Sequence, residues 1–271
     1  MNPTTTTEAT TLACDDRRDI LNAILLEPDP TDGLWQAVHS GLADQLVPEL
    51  PALRLEQDPI HRHKDVLAHT IAVTAKTSPD LRLRLAALFH DIGKPATRSF
   101  DHGGVTFRHH EAVGAKITRR RLREMDYDKQ VVKDVCELVR LSGRFKGYAD
   151  GWSDAAVRRY ARDAGHLLGA LNELVRSDCT TRNKNKAMRL QALMDELEER
   201  IVHLAKQERE AAERPQLDGK AVMEHLGIGG GPVIGQALDH LLAIKRAEGV
   251  LSDGEIRDRL DAWWAERSAD S

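Results

Sequence analysis

The sequence predicts an all-α protein, and three observations carry that expectation. Leu, Ala, Arg and Glu are abundant while aromatic residues make up only 4% of the chain, a balance that favours helices over a β-sandwich. Apolar residues recur at helical spacing through most of the length. Pro and Gly fall between the periodic segments, where helices are expected to stop. At 271 residues the chain can bury a substantial core, as one large domain or two smaller ones.

Taken in order, residues 1–13 form a polar, Thr-rich tail expected to be disordered. Residues 16–50 read as two short helices parted at Pro28-Asp29-Pro30, with Ile20, Leu21, Ile24 and Leu25 on one apolar stripe and Leu34, Val38 and Leu42 on another. Pro48 and Pro51 then break the chain. The helical period returns over 64–76, 79–91, 110–125, 128–141 and 153–176, with Asp80 placed to cap the second and Gly93-Lys94-Pro95 to end it. Residues 98–107 are the one stretch expected to form a hairpin, because DHGG supplies turn residues. Residues 187–213 give the clearest helix: Leu190, Met194, Leu197, Ile201 and Leu204 step by four and three, a heptad-like seam. Such a helix is about 40 Å long and is expected to run along the body as a strut, with a coiled-coil homodimer as the alternative. A Gly-rich turn at 227–231 opens a further helix, and IRDRLDAWWAE closes the chain with another, anchored by Trp263 and Trp264.

Composition excludes several classes. With 39 Lys and Arg against 43 Asp and Glu the formal charge is -4, so any RNA contact must rest on a local patch. Cys14, Cys136 and Cys179 contain no CxxC, which argues against a disulfide framework or a cysteine zinc site and suits a reducing cytosol. The N-terminus lacks the basic and apolar regions of a signal peptide, and no apolar run approaches the roughly 20 residues that span a bilayer. A soluble, cytoplasmic protein with no membrane contact is expected.

Four residues carry candidate chemistry: His69, His90, Asp91 and Asp178. His90 and Asp91 close the helix DLRLRLAALFHDIGK, where the negative end of the helix dipole favours a cation. His69 lies in the apolar setting VLAHTIAV and should face inward; a core histidine bonded to a carbonyl is its bland alternative. Asp178 ends the helix containing Leu171, Leu174 and Val175. Imidazoles with carboxylates suit one divalent ion such as Mn, Fe, Co, Ni, Zn or Mg. A buried carboxylate needs a partner, since an unpaired charge is costly to bury.

HDIGKP, with a second His about twenty residues upstream, resembles the HD phosphohydrolase superfamily. GLADQLVPELPAL, QDPIHRHKDVLAHTIAV, LRLAALFHDIGKPATR, GGVTFRHHEAVGA, AVRRYARDAG, LVRSDCTTRN and RPQLDGKAVMEHLGI are similar to the C-terminal half, HD domain plus tRNA body, of actinobacterial CCA-adding tRNA nucleotidyltransferases. The resemblance implies a helical neck at 14–57, an HD core at 58–182 and a C-terminal helical region at 183–271. It implies a metal-dependent phosphohydrolase acting on a nucleotide, a 2′,3′-cyclic phosphate or an RNA 3′-end phosphate. His69, His90, Asp91 and Asp178 would be the ligands, Asp91 would also orient the water, and Lys94 would reach the substrate phosphate or merely balance a helix C-terminus. His109 and His110 would serve a second metal or the substrate. Where the family commonly carries histidines, in LSGRFKGY, this chain has Ser142 and Lys146, so one ion is expected and Lys146 becomes a candidate phosphate anchor. These residues offer no Gly-Gly turn with an Asp-x-Asp strand pair, so no nucleotide addition is expected from this chain alone. The alternative is a non-catalytic tRNA-binding module.

Several cations have weaker claims. Arg158, Arg159 and Arg162, with Arg182 and Lys184, could form a phosphate- or tRNA-binding patch. Arg119-Arg120-Arg121 reads as a solvated helix face, His61 and His63 as solvated loop residues, and Arg17-Arg18 as unrelated to function.

Overall fold

A computed structural model describes residues 12–55, 65–101, 104–181 and 183–269. His61, His63, His102, Gly103 and Arg182 lie outside them. Among the described residues the protein is all-α apart from one small hairpin. It divides into two compact units, the first ending at Ile201 and the second beginning at Val202. Among the described residues no helix is long and apolar enough to cross a membrane.

The first unit opens with α1 (Cys14–Leu26), α2 (Thr31–Ser40) and α3 (Leu42–Leu46). Gly41, at φ 81°, makes the left-handed turn between α2 and α3 that a side chain would resist. Next come α4 (Val66–Lys76), α5 (Leu81–Phe89) and the short α6 (Lys94–Thr97). The hairpin pairs β1 (Arg98–Asp101) with β2 (Gly104–Phe107), antiparallel, with Arg98 opposite Phe107 and Phe100 opposite Val105. Then follow α7 (His110–Glu124), α8 (Lys129–Leu141), α9 (Asp154–Ala164) and α10 (Leu168–Asp178). Helix α11 (Lys184–Ala212) carries the chain into the second unit, which holds α12 (Gly219–Leu226), α13 (Pro232–Glu248) and α14 (Asp253–Ala269).

Helix starts follow local chemistry. The Asp65 side chain accepts from the Ala68 amide at 2.9 Å, Asp80 from Leu83 at 2.9 Å and Asp218 from Ala221 at 2.8 Å. Each such cap contributes about 1 kcal/mol. Helix α5 is buried on nearly every side: Leu83, Leu85, Ala86, Ala87, Leu88 and Phe89 are all at most 2% exposed. It packs against α4, α8 and α10, which bring Ile71, Val135, Leu138 and Leu171 to the same core. That burial makes α5 a fixed post, and the residues at its end inherit its rigidity.

Arg84 sits inside this core, 1% exposed, and among the described residues no carboxylate pairs with its guanidinium. It donates instead to the carbonyls of Thr77, Leu25, Glu27 and Pro28, tying the α1–α2 connection to α5. Those carbonyls are orphans of a helix end and a Pro-bounded turn, and a buried multi-donor cation satisfies them together.

Three sequence expectations need correction. The helix expected over 153–176 is broken at Gly165, whose φ of 53° cannot continue a right-handed helix; the chain makes one 3₁₀ turn and restarts as α10. Pro95 does not end a helix but occupies the first turn of α6, where its missing N–H has no intrahelical partner to lose. The Arg119–Arg121 run is not a purely solvated face: Arg121 Nε and Arg120 Nη2 donate to the Glu49 carboxylate at 2.8 Å and 2.7 Å. The seam of α11 packs within the chain, with Met194 and Leu197 fully buried and the helix tied to α10 by Arg176–Glu198 at 2.8 Å. In the second unit, Val222, Ala237, Leu241, Ile256 and Leu260 form a separate core. Trp263 packs against it and stacks on His240 with ring centroids 5.6 Å apart.

Candidate metal centre

The end of α5 is the origin of the site. His90 is its C-cap and Asp91 follows, both 3% exposed, in a turn closed by the Lys94 amide donating to the Asp91 carbonyl at 2.9 Å. Gly93 lets this turn press against α7. A Cβ there would lie 2.2 Å from the His110 carbonyl oxygen and 2.7 Å from the Gly114 nitrogen. The HDIGK string is therefore a close-packing device as well as a donor of ligands. Helix α4 supplies His69, and the last residue of α10 supplies Asp178.

These elements bring His69, His90 and Asp178 together, with one donor atom from each lying within 4.8 Å of the others. His69 Nε2 is 2.9 Å from Asp178 Oδ1, and His90 Nε2 is 3.7 Å from the same oxygen. The orientation of each ring follows from its other nitrogen. His90 Nδ1 stands 2.7 Å from the Ala87 carbonyl, which can only accept, so Nδ1 carries the proton and the Nε2 lone pair points into the site. That Nε2 is buried and has no hydrogen-bond partner. His69 Nδ1 pairs with Thr180 Oγ1 at 2.9 Å, directing its Nε2 inward as well. An orphaned, buried imidazole nitrogen facing a second imidazole and a carboxylate is the donor set a divalent ion requires, so the residues fit such an ion.

Asp91 stands at the centre of a second set of contacts. Its Oδ2 lies 3.3 Å from His90 Nε2, 3.7 Å from His69 Nε2 and 2.6 Å from Lys94 Nζ, while Oδ1 lies 3.4 Å from His110 Nε2. Burial would raise its carboxyl, but His90, His110 and Lys94 overcome this and hold it well below the usual carboxylate range. Burial likewise pulls His90 down, yet the Asp91 and Asp178 carboxylates bring its net value above that of a free imidazole. The Asp178 carboxyl, raised by burial, ends below the ordinary range because His69 and His90 face it.

The remaining predicted residues divide. Lys94 is 5% exposed, paired with Asp91, and its Nζ is 5.6 Å from the centre of the Phe107 ring. His110 joins the cluster, its Nδ1 donating to the Phe107 carbonyl at 2.8 Å. His109 does not: it is exposed and adopts a left-handed conformation at φ 61° before α7. Lys146 also stays outside, its side chain 66% exposed and 3.6 Å from Glu111 Oε1. Ser142 donates to the Val139 carbonyl at 2.9 Å. Arg159 and Arg162 are exposed on α9, with Arg158 half-buried beside them. The residues missed by sequence reading are those that aim the rings: the Ala87 and Phe107 carbonyls and Thr180. Two of the three are backbone atoms, which carry no signal in a residue string.

The helical fold and the His-Asp site define a class, and comparison agrees: the HD domain family matches residues 66–208, and the chain belongs to that family. HD domains bind divalent metals. The chain is also similar to two curated proteins. The A-adding tRNA nucleotidyltransferase of Deinococcus radiodurans is 33% identical over 262 residues, covering 94% of this chain and 59% of that protein. The CC-adding tRNA nucleotidyltransferase of Thermus thermophilus is 33% identical over 264 residues, covering 93% of this chain and 57% of that protein. The chain thus spans somewhat more than half the length of the relatives it matches.

Proposed function

We propose that the chain is a metal-dependent phosphohydrolase acting on a nucleotide, a 2′,3′-cyclic phosphate or the phosphorylated 3′ end of an RNA, in the cytoplasm. The observation that carries this reading is the unpartnered, buried Nε2 of His90 among His69, Asp91 and Asp178. His69, His90 and Asp178 would hold one divalent ion, with Asp91 as the fourth ligand. A bound ion would supply Lewis acidity toward a phosphate oxygen and a water of lowered pKa. Asp91, whose carboxyl His90, His110 and Lys94 hold well below the usual range, can orient that water by accepting its hydrogen bond. Lys94 keeps Asp91 in place and adds positive charge where an anionic ester must approach. Thr180 and the Ala87 carbonyl fix the imidazoles against rotation.

The test is a screen of purified protein with Mn, Ni, Co, Fe, Mg and Zn against nucleotides, cyclic nucleotides and a generic phosphodiester. Metal-dependent turnover, lost in His90→Ala, is expected. Metal binding without turnover on any ester would refute the hydrolase reading.

A second reading draws on the named relatives: the chain would be a tRNA-binding module related to the body of CCA-adding enzymes. Arg159 and Arg162, exposed on α9 beside Arg158, would then contact the phosphate backbone. tRNA binding unaffected by loss of the metal would support it.

A further inference from the structure

The hairpin between the HDIGK turn and α7 has one face that begins at the metal centre and ends in an exposed aromatic ring. Directly paired residues and residues two apart share a face of a strand pair. The register therefore puts Arg98, Phe100, Val105 and Phe107 on one side. Ser99 and Thr106 take the other, where their hydroxyls meet at 2.7 Å. The first face is anchored at the Phe107 end: that ring lies over Lys94 Nζ at 5.6 Å, and Lys94 is paired with Asp91. Two cross-strand pairs further out, about 7 Å along the strand, Phe100 is 72% exposed. The Arg98 guanidinium stands 5.0 Å from the centre of its ring. Arg98 thus lies over the ring, which stays largely exposed among the described residues.

We infer that Phe100 is a nucleobase platform, stacking the base of a substrate whose phosphate lies at the His69–His90–Asp178 centre. This rests on the phosphohydrolase reading and assigns the residue that would hold the base of such an ester. An aromatic ring backed by an arginine is how proteins hold unpaired bases without reading their sequence, because every base has a π-face. A strand residue also keeps its distance from the site better than a loop residue would. Binding a sugar phosphate alone would leave the ring unused.

The experiment compares two phosphomonoesters that differ only in the base, adenosine 5′-monophosphate and ribose 5-phosphate, by calorimetric titration with Mn²⁺ present, alongside their hydrolysis. The wild type should bind the nucleotide at least about fivefold more tightly than the sugar phosphate. Phe100→Ala should abolish that advantage and leave ribose 5-phosphate binding unchanged, while Phe100→Trp should keep or increase it. Equal binding of the two esters by the wild type, or unchanged nucleotide binding by Phe100→Ala, would overturn the inference while hydrolysis of either ester left the phosphohydrolase reading standing. If neither ester is bound or hydrolysed, both fail together.

Discussion

His90 shows how one backbone oxygen sets the chemistry of a side chain. With the Ala87 carbonyl 2.7 Å from Nδ1, the ring has one stable neutral tautomer, and it is the one that presents Nε2 to an ion. His90→Ala and Asp178→Ala should each lose far more metal affinity than the roughly 10–100-fold typical of residues that only orient a ligand. Helical content should be nearly unchanged, since neither residue lies in a helix interior. Elemental analysis with far-ultraviolet circular dichroism checks this, and full metal retention in both variants would refute the assigned ligands. Gly93 gives a second expectation at this scale. Because an added Cβ meets backbone of α7 rather than a movable side chain, Gly93→Ala should destabilise the fold by about 1–3 kcal/mol. Denaturant unfolding would measure it, and an unchanged midpoint would contradict the close approach.

Between elements, arginines tie α7 and α5 to the N-terminal helices. Glu49, just beyond α3, is gripped by Arg121 and Arg120 of α7. Burial alone would raise its carboxyl, but the hydrogen bonds from Arg121 and Arg120 leave it below the usual glutamate range. A carboxylate depressed in the folded state stabilises the fold above its unfolded pKa, and that contribution disappears as pH falls through the depressed folded value. Glu49→Gln should therefore cost about 0.5–1 kcal/mol near neutrality, and the difference from wild type should vanish well below pH 4.5. Thermal melts of both proteins across pH would test it; a difference that persisted in acid would point to a packing effect instead. The α9–α10 break illustrates the opposite case, where a single residue parts two helices. Apolar periodicity runs through 153–176 without interruption, yet Gly165 takes a positive φ and divides it.

For the whole molecule, the expected metal content is one ion per chain. Lys146 is compensated by Glu111 and solvent, Ser142 is hydrogen-bonded to a helix carbonyl, and His109 is exposed, so none of these three adds a donor to His110 and the Asp91 oxygen that faces it. Protein purified without chelator should carry about one equivalent, and His110→Ala should not change it; two equivalents that both vanish in that variant would overturn the one-ion reading. With a formal charge of -4, any tRNA binding must come from a patch and fall steeply with salt. Arg159→Glu combined with Arg162→Glu should weaken it without altering hydrolysis of a small ester. A filter-binding series against salt would show this, and tight, salt-indifferent binding would contradict the patch.

Helical periodicity, capping residues and the HDIGK string determined the helical class, the hairpin and the residues His69, His90, Asp91 and Asp178 as candidates. Those signals are local: a period, a cap and a short motif can each be read within a few residues. What tertiary structure decided is which donors meet and how they are turned. The carbonyls of Ala87 and Phe107 and the hydroxyl of Thr180 orient the rings, Lys94 and His110 converge on Asp91, and His109 turns away although it adjoins His110. Arg84 stands on a helix like many other charges, yet it is buried where the nearby Thr77 carbonyl and three carbonyls of the distant 25–28 segment converge on it. Long-range packing brings those carbonyls together, and no spacing along the chain encodes a partner some sixty residues away.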